Sequence, residues 1–190
     1  LDKFDFIVLG PGAGLKPGVK SLILKLLKHI DKTILLDADG INALSGHADI
    51  LKKRKCQQLI ITPHLGEFSR LVNRSTAAIK NERKDLVKKF ALRYNLVLVL
   101  KGNNTLVSDG RRFFENTTGN PGLATAGTGD VLSGIISGFA AQGLDAYTAA
   151  KAGVYLHGLA ADKAAQEKTQ NCLIASDVID YLPKAIKSSL

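Results

Sequence analysis

The chain has 190 residues, of which 45% are hydrophobic and 23% charged, enough for one globular domain with its own core. Its formal net charge is +9, but the Lys and Arg residues are scattered along predicted helices with little aromatic interleaving, so no nucleic-acid partner is expected. There is no 18-residue apolar run and no basic leader, so we expect neither a membrane span nor a signal peptide.

Two residue counts bear on compartment and completeness. Cys56 and Cys172 match no metal-ligand spacing, which favours a reduced, cytoplasmic protein. The chain contains no methionine, so we expect a fragment or processed form whose N-terminus lies upstream. We find no linker and predict a single domain over residues 1–190.

Apolar runs and amphipathic stretches alternate along the chain and predict strands and helices in turn. The predicted strands are Phe6–Leu9, Ile34–Leu36, Leu59–Ile61 and Val97–Leu100. They are apolar almost throughout, as is typical of parallel strands that are covered on both faces. The helices are Val19–His29, Leu65–Val72, Ser75–Tyr94, Val131–Gln142, Ala146–Gln166 and Asp177–Lys187, with a short turn after Gly40. Asp109-Gly110 joins a hairpin of Thr105–Ser108 and Arg112–Glu115. We therefore predict an α/β layered domain with a mostly parallel sheet.

Each predicted parallel strand is followed by glycine or polar residues. The four segments are Gly10–Gly14 (GPGAG), Asp37–Asn42 (DADGIN), Thr62–Glu67 (TPHLGE) and Lys101–Thr105 (KGNNT). Any one of them has a structural explanation: Asp39, for example, would serve as a helix cap and His64 as a satisfied structural histidine. Because ligands of open α/β sheets bind outside the carboxyl ends of the strands, four such segments together indicate a binding site.

The sharpest functional signal is Gly127-Thr128-Gly129-Asp130, directly before a predicted helix. Gly127 and Gly129 can adopt positive φ, so backbone N–H groups can surround an anion at the positive end of the helix dipole. Asp130 would repel a phosphate that merely binds there, but it fits a general base that deprotonates a hydroxyl attacking phosphorus. The alternative is that Thr128 or Asp130 is a plain N-cap.

Further candidates surround this segment. Lys101 leaves a buried strand directly into a glycine turn, which suits an ammonium that binds phosphate, and Gly102 to Thr105 offer N–H and hydroxyl donors. Thr118 and Asn120 are placed to orient a hydroxyl or a ribose. His157 lies in an Ala-rich helical stretch, which favours a packing role.

The segment after the second strand offers oxygen ligands for water or Mg²⁺: Asp37, Asp39 and Asn42. Two carboxylates after a strand are as often helix-capping, so these residues are kept out of the catalytic set and no protein metal site is predicted.

Six motifs, in this order, resemble one enzyme family from about Phe4 to Leu182: LGPGAG, LDADGINAL, ITPHLGEFSRL, LKGNNTLVSDG, NTTGNPGLATAGTGDVLSGIISGFAAQG and YLHGLAAD. The chain resembles the ADP- or ATP-dependent NAD(P)H-hydrate dehydratases, a branch of the ribokinase-like superfamily. The resemblance implies a three-layer sandwich with a mostly parallel central sheet. It also implies an upstream glycine- and alanine-rich segment, with further strands and a substrate contact, that this chain lacks.

By the same resemblance, the activity is repair of NAD(P)HX, the hydrated nicotinamide coenzyme, by phosphorylation of the ring hydroxyl and elimination of phosphate. Asp130 is the predicted catalytic residue. The hydrate-binding set is Gly12, Gly14, His64, Asn120 and Asp130, where Asn120 comes from the loop chemistry. The nucleotide-binding set is Lys101, Gly102, Asn103, Asn104, Thr105, Gly127, Thr128 and Gly129, where Gly127 and Thr128 come from the predicted anion-binding turn. Expected partners are NAD(P)HX and ADP or ATP with Mg²⁺, and the resemblance implies a homo-oligomer such as a tetramer.

Two alternatives stay open at this point. One is a kinase of the same superfamily that phosphorylates a vitamin-precursor alcohol, although related vitamin kinases usually have TPN where this chain has Thr62-Pro63-His64. The other is a non-catalytic nucleotide-binding module, against which the presence of both Asp130 and Lys101 argues.

Overall fold

The computed structural model of the protein describes residues 4–190, and its centre is a six-stranded sheet. In chain order the strands are β1 (Phe6–Leu9), β2 (Thr33–Leu36), β3 (Leu59–Ile61), β4 (Val97–Leu100), β5 (Leu106–Ser108) and β6 (Phe113–Glu115). They lie in this same order across the sheet. β1 to β4 are parallel, and β5 and β6 complete the sheet as an antiparallel hairpin. The mostly parallel sheet and the hairpin are thus confirmed.

Seven helices are found within residues 4–190: α1 (Pro17–His29), α2 (Asp39–Ala43), α3 (Leu65–Val72), α4 (Thr76–Tyr94), α5 (Thr128–Ala141), α6 (Ala146–Lys168) and α7 (Ala175–Lys187). All six predicted helices are present, and the predicted turn after Gly40 is the short helix α2. Three 3₁₀ turns, at Ala48–Lys52, Pro121–Leu123 and Gln170–Cys172, were not predicted. The one shift that matters for function is that α5 begins three residues earlier than the sequence pattern indicated.

The helices cover both faces of the sheet, which β2 illustrates. Ile34 and Leu36 belong to a hydrophobic cluster with side chains of α1, α3 and α4, whereas Leu35 between them belongs to a cluster with α5 and α6. Successive strand residues point to opposite faces, so the sheet is the middle layer of a three-layer sandwich. α7 packs on α6 through a third cluster that includes Leu156 and Val178.

In the part of the chain that the structure describes, no helix has the length and apolarity that a membrane crossing requires.

Candidate active site

The segments that follow the parallel strands meet at one edge of the sheet. The Asp37 N–H donates to the Leu9 carbonyl, which places the turn after β1 against the turn after β2. Gly10 has φ +119°, and a Cβ added to it would lie 2.0 Å from the Asp37 carbonyl oxygen, so this approach requires glycine. His64 and Lys101 form an isolated parallel bridge beyond β3 and β4. The predicted clustering at the carboxyl ends is therefore present.

Helix α5 presents an open N-terminus at this edge. Gly127, in the left-handed region at φ 85°, is its N-cap, and no side chain caps it. The hypothesis that Thr128 or Asp130 is the N-cap is therefore wrong, and Gly129 is helical rather than left-handed. The first intrahelical bond runs from Val131 N–H to the Gly127 carbonyl. The N–H groups of the three residues before Val131 have no hydrogen-bond partner within residues 4–190, so they remain available to an anion.

His157 fixes the first turn of α5 from behind. Its Nε2 lies 2.9 Å from the Thr128 carbonyl oxygen, and because a carbonyl only accepts, Nε2 carries the proton. Burial lowers the pKa of His157 to about 4, so the ring is neutral at physiological pH. The Thr128 hydroxyl lies 2.8 Å from the Leu123 carbonyl and 2.9 Å from the Thr125 carbonyl. Thr128 therefore offers a ligand its N–H rather than its hydroxyl, and the packing role predicted for His157 includes holding the anion-binding turn.

Lys101 reaches the same turn from β4. Its Nζ lies 3.5 Å from the position that a Cβ on Gly129 would occupy, and it donates to Asp37 Oδ1 at 2.7 Å. Asp37 is 1% exposed and also accepts from Ser133 Oγ at 2.7 Å and from the Ala38 N–H at 2.8 Å. A lysine ammonium has three donors, so the bond to Asp37 leaves capacity for a phosphate oxygen.

This role of Asp37 was not predicted from the sequence. The hypothesis that the two carboxylates cap α2 is wrong, because the N-cap of α2 is Ala38 and no side chain caps it. Asp37 is instead the buried counter-ion of Lys101. A pairing between residues 64 positions apart has no signature in local spacing, although both residues end apolar strands.

A second residue that the sequence analysis missed braces the loop after β4. The Arg83 guanidinium donates to the Asn103 carbonyl at 3.1 Å and to the Asn104 carbonyl at 2.6 Å. Arg83 follows a non-helical residue inside α4, Glu82, with φ −121° and ψ 16°. Thr105 Oγ1 closes the loop by donating to the Gly102 carbonyl at 3.0 Å. In the sequence, Arg83 looked like one solvated cation among many.

A cavity of about 570 Å³ lies beside these groups. Its lining includes seven of the eight residues predicted to bind nucleotide: Lys101, Gly102, Asn103, Asn104, Thr105, Thr128 and Gly129. Apolar side chains, among them Leu123, Leu132 and Val154, line it as well. Polar donors at one wall and apolar side chains at others suit a nucleotide, whose phosphates and base have these opposite requirements. We refer to this space as the nucleotide cavity.

Asn120 also lines the nucleotide cavity, although we had grouped it with the hydrate-binding residues. Its Oδ1 accepts from the Gly122 N–H at 3.0 Å, and its Nδ2 donates to Asp162 Oδ1 at 2.9 Å. The Asn120 side chain therefore holds the Pro121–Leu123 turn. Gly127, the remaining residue predicted to bind nucleotide, is the N-cap of α5 and does not line the cavity.

The remaining predicted residues lie outside the nucleotide cavity. His64 is the N-cap of α3: its Nδ1 accepts from the Gly66 and Glu67 N–H groups at 3.0 and 3.2 Å, which leaves the proton on Nε2. The His64 side chain is 55% exposed, and Gly12 and Asp130 are also exposed. Asp130 is three residues before Ser133 and therefore lies on the same side of α5, one turn nearer the N-terminus than the hydrogen bond from Ser133 to Asp37.

Gly14 lines a second hollow of about 300 Å³. We refer to it as the Arg70 hollow; its lining is Gly14, Leu15, Lys20, Asp39, Asn42, Ala43, Ser45 and Arg70. It shares no lining residue with the nucleotide cavity. The predicted site residues therefore divide between the nucleotide cavity and the Arg70 hollow, which lie along the same sheet edge. The side chains of His64 and Asp130 are exposed at this edge.

No group of three His, Cys, Asp or Glu side chains within residues 4–190 is placed to hold a metal ion.

Known proteins with similar sequences include repair enzymes of the nicotinamide coenzymes. The sequence model of a family described as NAD(P)H-hydrate dehydratase matches residues 1–184. A bifunctional NAD(P)H-hydrate repair enzyme Nnr from Moorella thermoacetica is 40% identical over 190 residues, covering 99% of this chain and 36% of that protein. An ADP-dependent (S)-NAD(P)H-hydrate dehydratase from Neisseria meningitidis is 44% identical over 158 residues, covering 82% of this chain and 53% of that protein.

Solved structures give the same result at the level of the fold. The ADP/ATP-dependent NAD(P)H-hydrate dehydratase from Bacillus subtilis, co-crystallised with ATP/Mg²⁺, superposes with a TM-score of 0.84 at 33% identity, covering 97% of this chain and 64% of that chain. A ribokinase-like superfamily protein from Enterococcus faecalis superposes with a TM-score of 0.80 at 30% identity, covering 97% and 63%. The predicted ribokinase-like sandwich is thus confirmed.

The chain spans about a third of the length of the first curated relatives and about two thirds of these solved chains. Nearly the whole chain matches the family's sequence model, and its fold agrees with that of the Bacillus subtilis dehydratase. The chain therefore belongs to the NAD(P)H-hydrate dehydratase family.

Proposed function

We propose that this chain catalyses the dehydration of NAD(P)HX to NAD(P)H with ADP or ATP as the phosphoryl donor. The observation that carries the proposal is the meeting of Lys101 with the open first turn of α5 beside a cavity of nucleotide size. The names of the relatives, which are NAD(P)H-hydrate dehydratases and repair enzymes, support the choice of substrate.

The nucleotide is proposed to bind with its base in the apolar part of the nucleotide cavity and its phosphates at Lys101. The N–H groups of Thr128, Gly129 and Asp130 and the Lys101 ammonium are fixed before a ligand arrives, by His157 and by Asp37 respectively. Charge-assisted bonds from such preorganised donors are about twice as strong as neutral ones, and they stabilise the charge that spreads over the transferred phosphoryl group.

The hydrate is proposed to bind on the exposed side of the same edge, near Gly12, Gly14 and His64. Asp130 takes the proton of the ring hydroxyl while that oxygen attacks the terminal phosphorus of the nucleotide. The phosphorylated C–O bond then breaks, and the ring nitrogen supplies the electron pair that stabilises the resulting cation. Loss of a proton from the neighbouring carbon restores the dihydropyridine, so no stable phosphoester remains.

Mg²⁺ enters this proposal as the counter-ion of the nucleotide phosphates, as is usual for Mg²⁺ in phosphoryl transfer. Asp37, the buried carboxylate nearest Lys101, does not suit it as a ligand, because both of its oxygens already accept short hydrogen bonds. A cytoplasmic location and a homo-oligomeric assembly such as a tetramer complete the proposal. Size-exclusion chromatography with light scattering tests the assembly.

The test is to incubate the full chain with NAD(P)HX, Mg²⁺ and either ADP or ATP. We expect near-ultraviolet NAD(P)H absorbance to recover with one phosphate released per coenzyme. If neither nucleotide supports recovery while a vitamin-precursor alcohol becomes a lasting phosphate ester, the kinase alternative replaces the proposal. If nucleotide binds and neither substrate reacts, the non-catalytic alternative replaces it.

A further inference from the structure

The Arg70 hollow carries more positive charge than the described residues neutralise. Lys20 from α1 and Arg70 from α3 line it, and Asp39 is the one carboxylate in its described lining. The Lys20 ammonium makes no ion pair or hydrogen bond with another residue of the range 4–190. Arg70 donates through Nε and Nη2 to the neutral Asn42 side chain, with both bonds to Oδ1 at 3.2 and 2.9 Å. Two cations and one carboxylate thus line the same small hollow, and an anion would neutralise the excess positive charge.

The Asp39 carboxylate does not serve as that anion. Its Oδ2 accepts from the Gly14 N–H at 2.9 Å, and its Oδ1 lies 3.5 Å from Asn42 Nδ2. Within the described residues it forms no ion pair with Lys20 or Arg70. Asp39 instead attaches the end of the GPGAG loop to the rim of the hollow. Among residues 4–190, Lys20 and Arg70 both keep side-chain donors that no other residue accepts from.

The hollow adjoins the segments proposed to meet the hydrate. Gly14 lines it directly, and Arg70 is on α3, the helix that His64 caps. A ligand that contacts His64 and the GPGAG loop can therefore extend into the hollow. The nucleotide cavity is lined by other residues. The volume, about 300 Å³, is at the lower end of ordinary ligand pockets, which suits part of a large ligand rather than a whole one.

We propose that the Arg70 hollow binds a phosphate group of the dinucleotide, with Lys20 and Arg70 as its donors. This inference rests on the proposed function, in which the ligand on this side is NAD(P)HX. Two phosphates have the required chemistry: the diphosphate that NADHX and NADPHX share, and the 2′-phosphate that only NADPHX carries. In either case the hollow holds the coenzyme by a part remote from the reacting ring, which allows binding energy there to orient that ring.

The experiment compares Lys20→Ala and Arg70→Ala with the wild-type chain, using NADHX and NADPHX in turnover and NAD⁺ and NADP⁺ in calorimetric titrations. Losing a charge-assisted contact should raise KM and the dissociation constant about tenfold or more. Lys25→Ala, on the exposed surface of α1 and outside the hollow, is the matched control and should change neither. Lys20→Arg, which keeps the charge, should stay within a few-fold of wild type.

Equal effects on both coenzymes identify the diphosphate as the bound group, and an effect confined to NADPHX and NADP⁺ identifies the 2′-phosphate. Unchanged constants in both alanine variants, or no binding of either coenzyme to the wild-type chain, overturn the inference. Absence of turnover in the wild-type chain counts against the proposed function alone, because the titrations still decide whether the hollow binds a coenzyme phosphate.

Discussion

The polar groups of the nucleotide cavity and the Asp130 carboxylate on the exposed side of the sheet edge differ in how firmly they are held. At the cavity, Asp37 fixes Lys101, Arg83 fixes the loop after β4, and His157 fixes the first turn of α5. On the other side, Asp130 is exposed and has no side-chain hydrogen bond within residues 4–190. The proposed phosphate site is thus held by contacts between residues that are distant in the sequence, so we expect cavity variants to affect both nucleotide affinity and stability. Replacing Asp130 should affect turnover alone.

Asp130→Asn should have the largest effect on catalysis. The amide cannot accept the hydroxyl proton, so turnover should fall by about 10²-fold or more, while nucleotide affinity is retained. Because the side chain is exposed, the free energy of unfolding should stay within about 0.5 kcal/mol of wild type. Steady-state kinetics and urea unfolding check both statements, with Asp180→Asn on the exposed surface of α7 as the control. Near-normal turnover would end the assignment of Asp130 as the base.

His157 predicts a pH dependence of stability on the cavity side. Its pKa is about 4 in the folded chain against an ordinary value of 6.5, so the unfolded chain binds the proton more readily. The stability from the neutral ring is complete above pH 6.5 and is lost as the pH falls towards 4. Between pH 7 and pH 4.5, the wild type should lose about 2–3 kcal/mol more than His157→Gln, which does not titrate. If the free energies of unfolding of the two proteins fell equally between pH 7 and pH 4.5, His157 would not be a buried, neutral ring.

Lys101→Ala should weaken ADP or ATP binding by about 1.5–3 kcal/mol and leave coenzyme binding largely intact. The single variant also leaves Asp37 buried without its counter-ion, which destabilises the fold. Adding Asp37→Asn should therefore recover stability without recovering nucleotide affinity. Calorimetric titration and urea unfolding of the single and double variants separate the two effects. Equal losses for nucleotide and coenzyme would mean that Lys101 serves both sides.

Arg83→Ala should have the smallest effect of these, because Arg83 positions the loop after β4 without lining the cavity. Losing its bonds to the Asn103 and Asn104 carbonyls should raise the nucleotide KM about three- to tenfold, with kcat nearly unchanged. Lys80→Ala, on the same helix and exposed, is the matched control. A fall in kcat with KM unchanged would place Arg83 in the chemical step instead.

The same contrast explains what could be predicted from the sequence. The parallel strands and the polar segments after them were predictable, because buried strands are apolar throughout and their carboxyl ends share an edge. The contacts that hold this edge in place were not predictable from the sequence. Asp37 binds a lysine 64 residues away, and Arg83 binds a carbonyl 20 residues away. The start of α5 was misplaced because Gly127 ends the preceding loop through its backbone, where the sequence rules look for a capping side chain.

The most direct test of the central claim is a crystal structure of the chain with ADP, Mg²⁺ and NADP⁺ bound together. We expect ADP phosphate oxygens within hydrogen-bond distance of Lys101 Nζ and the Gly129 N–H, with the nicotinamide ring beside Asp130 and His64. The same structure with NADP⁺ in the nucleotide cavity and ADP against the GPGAG loop would contradict it.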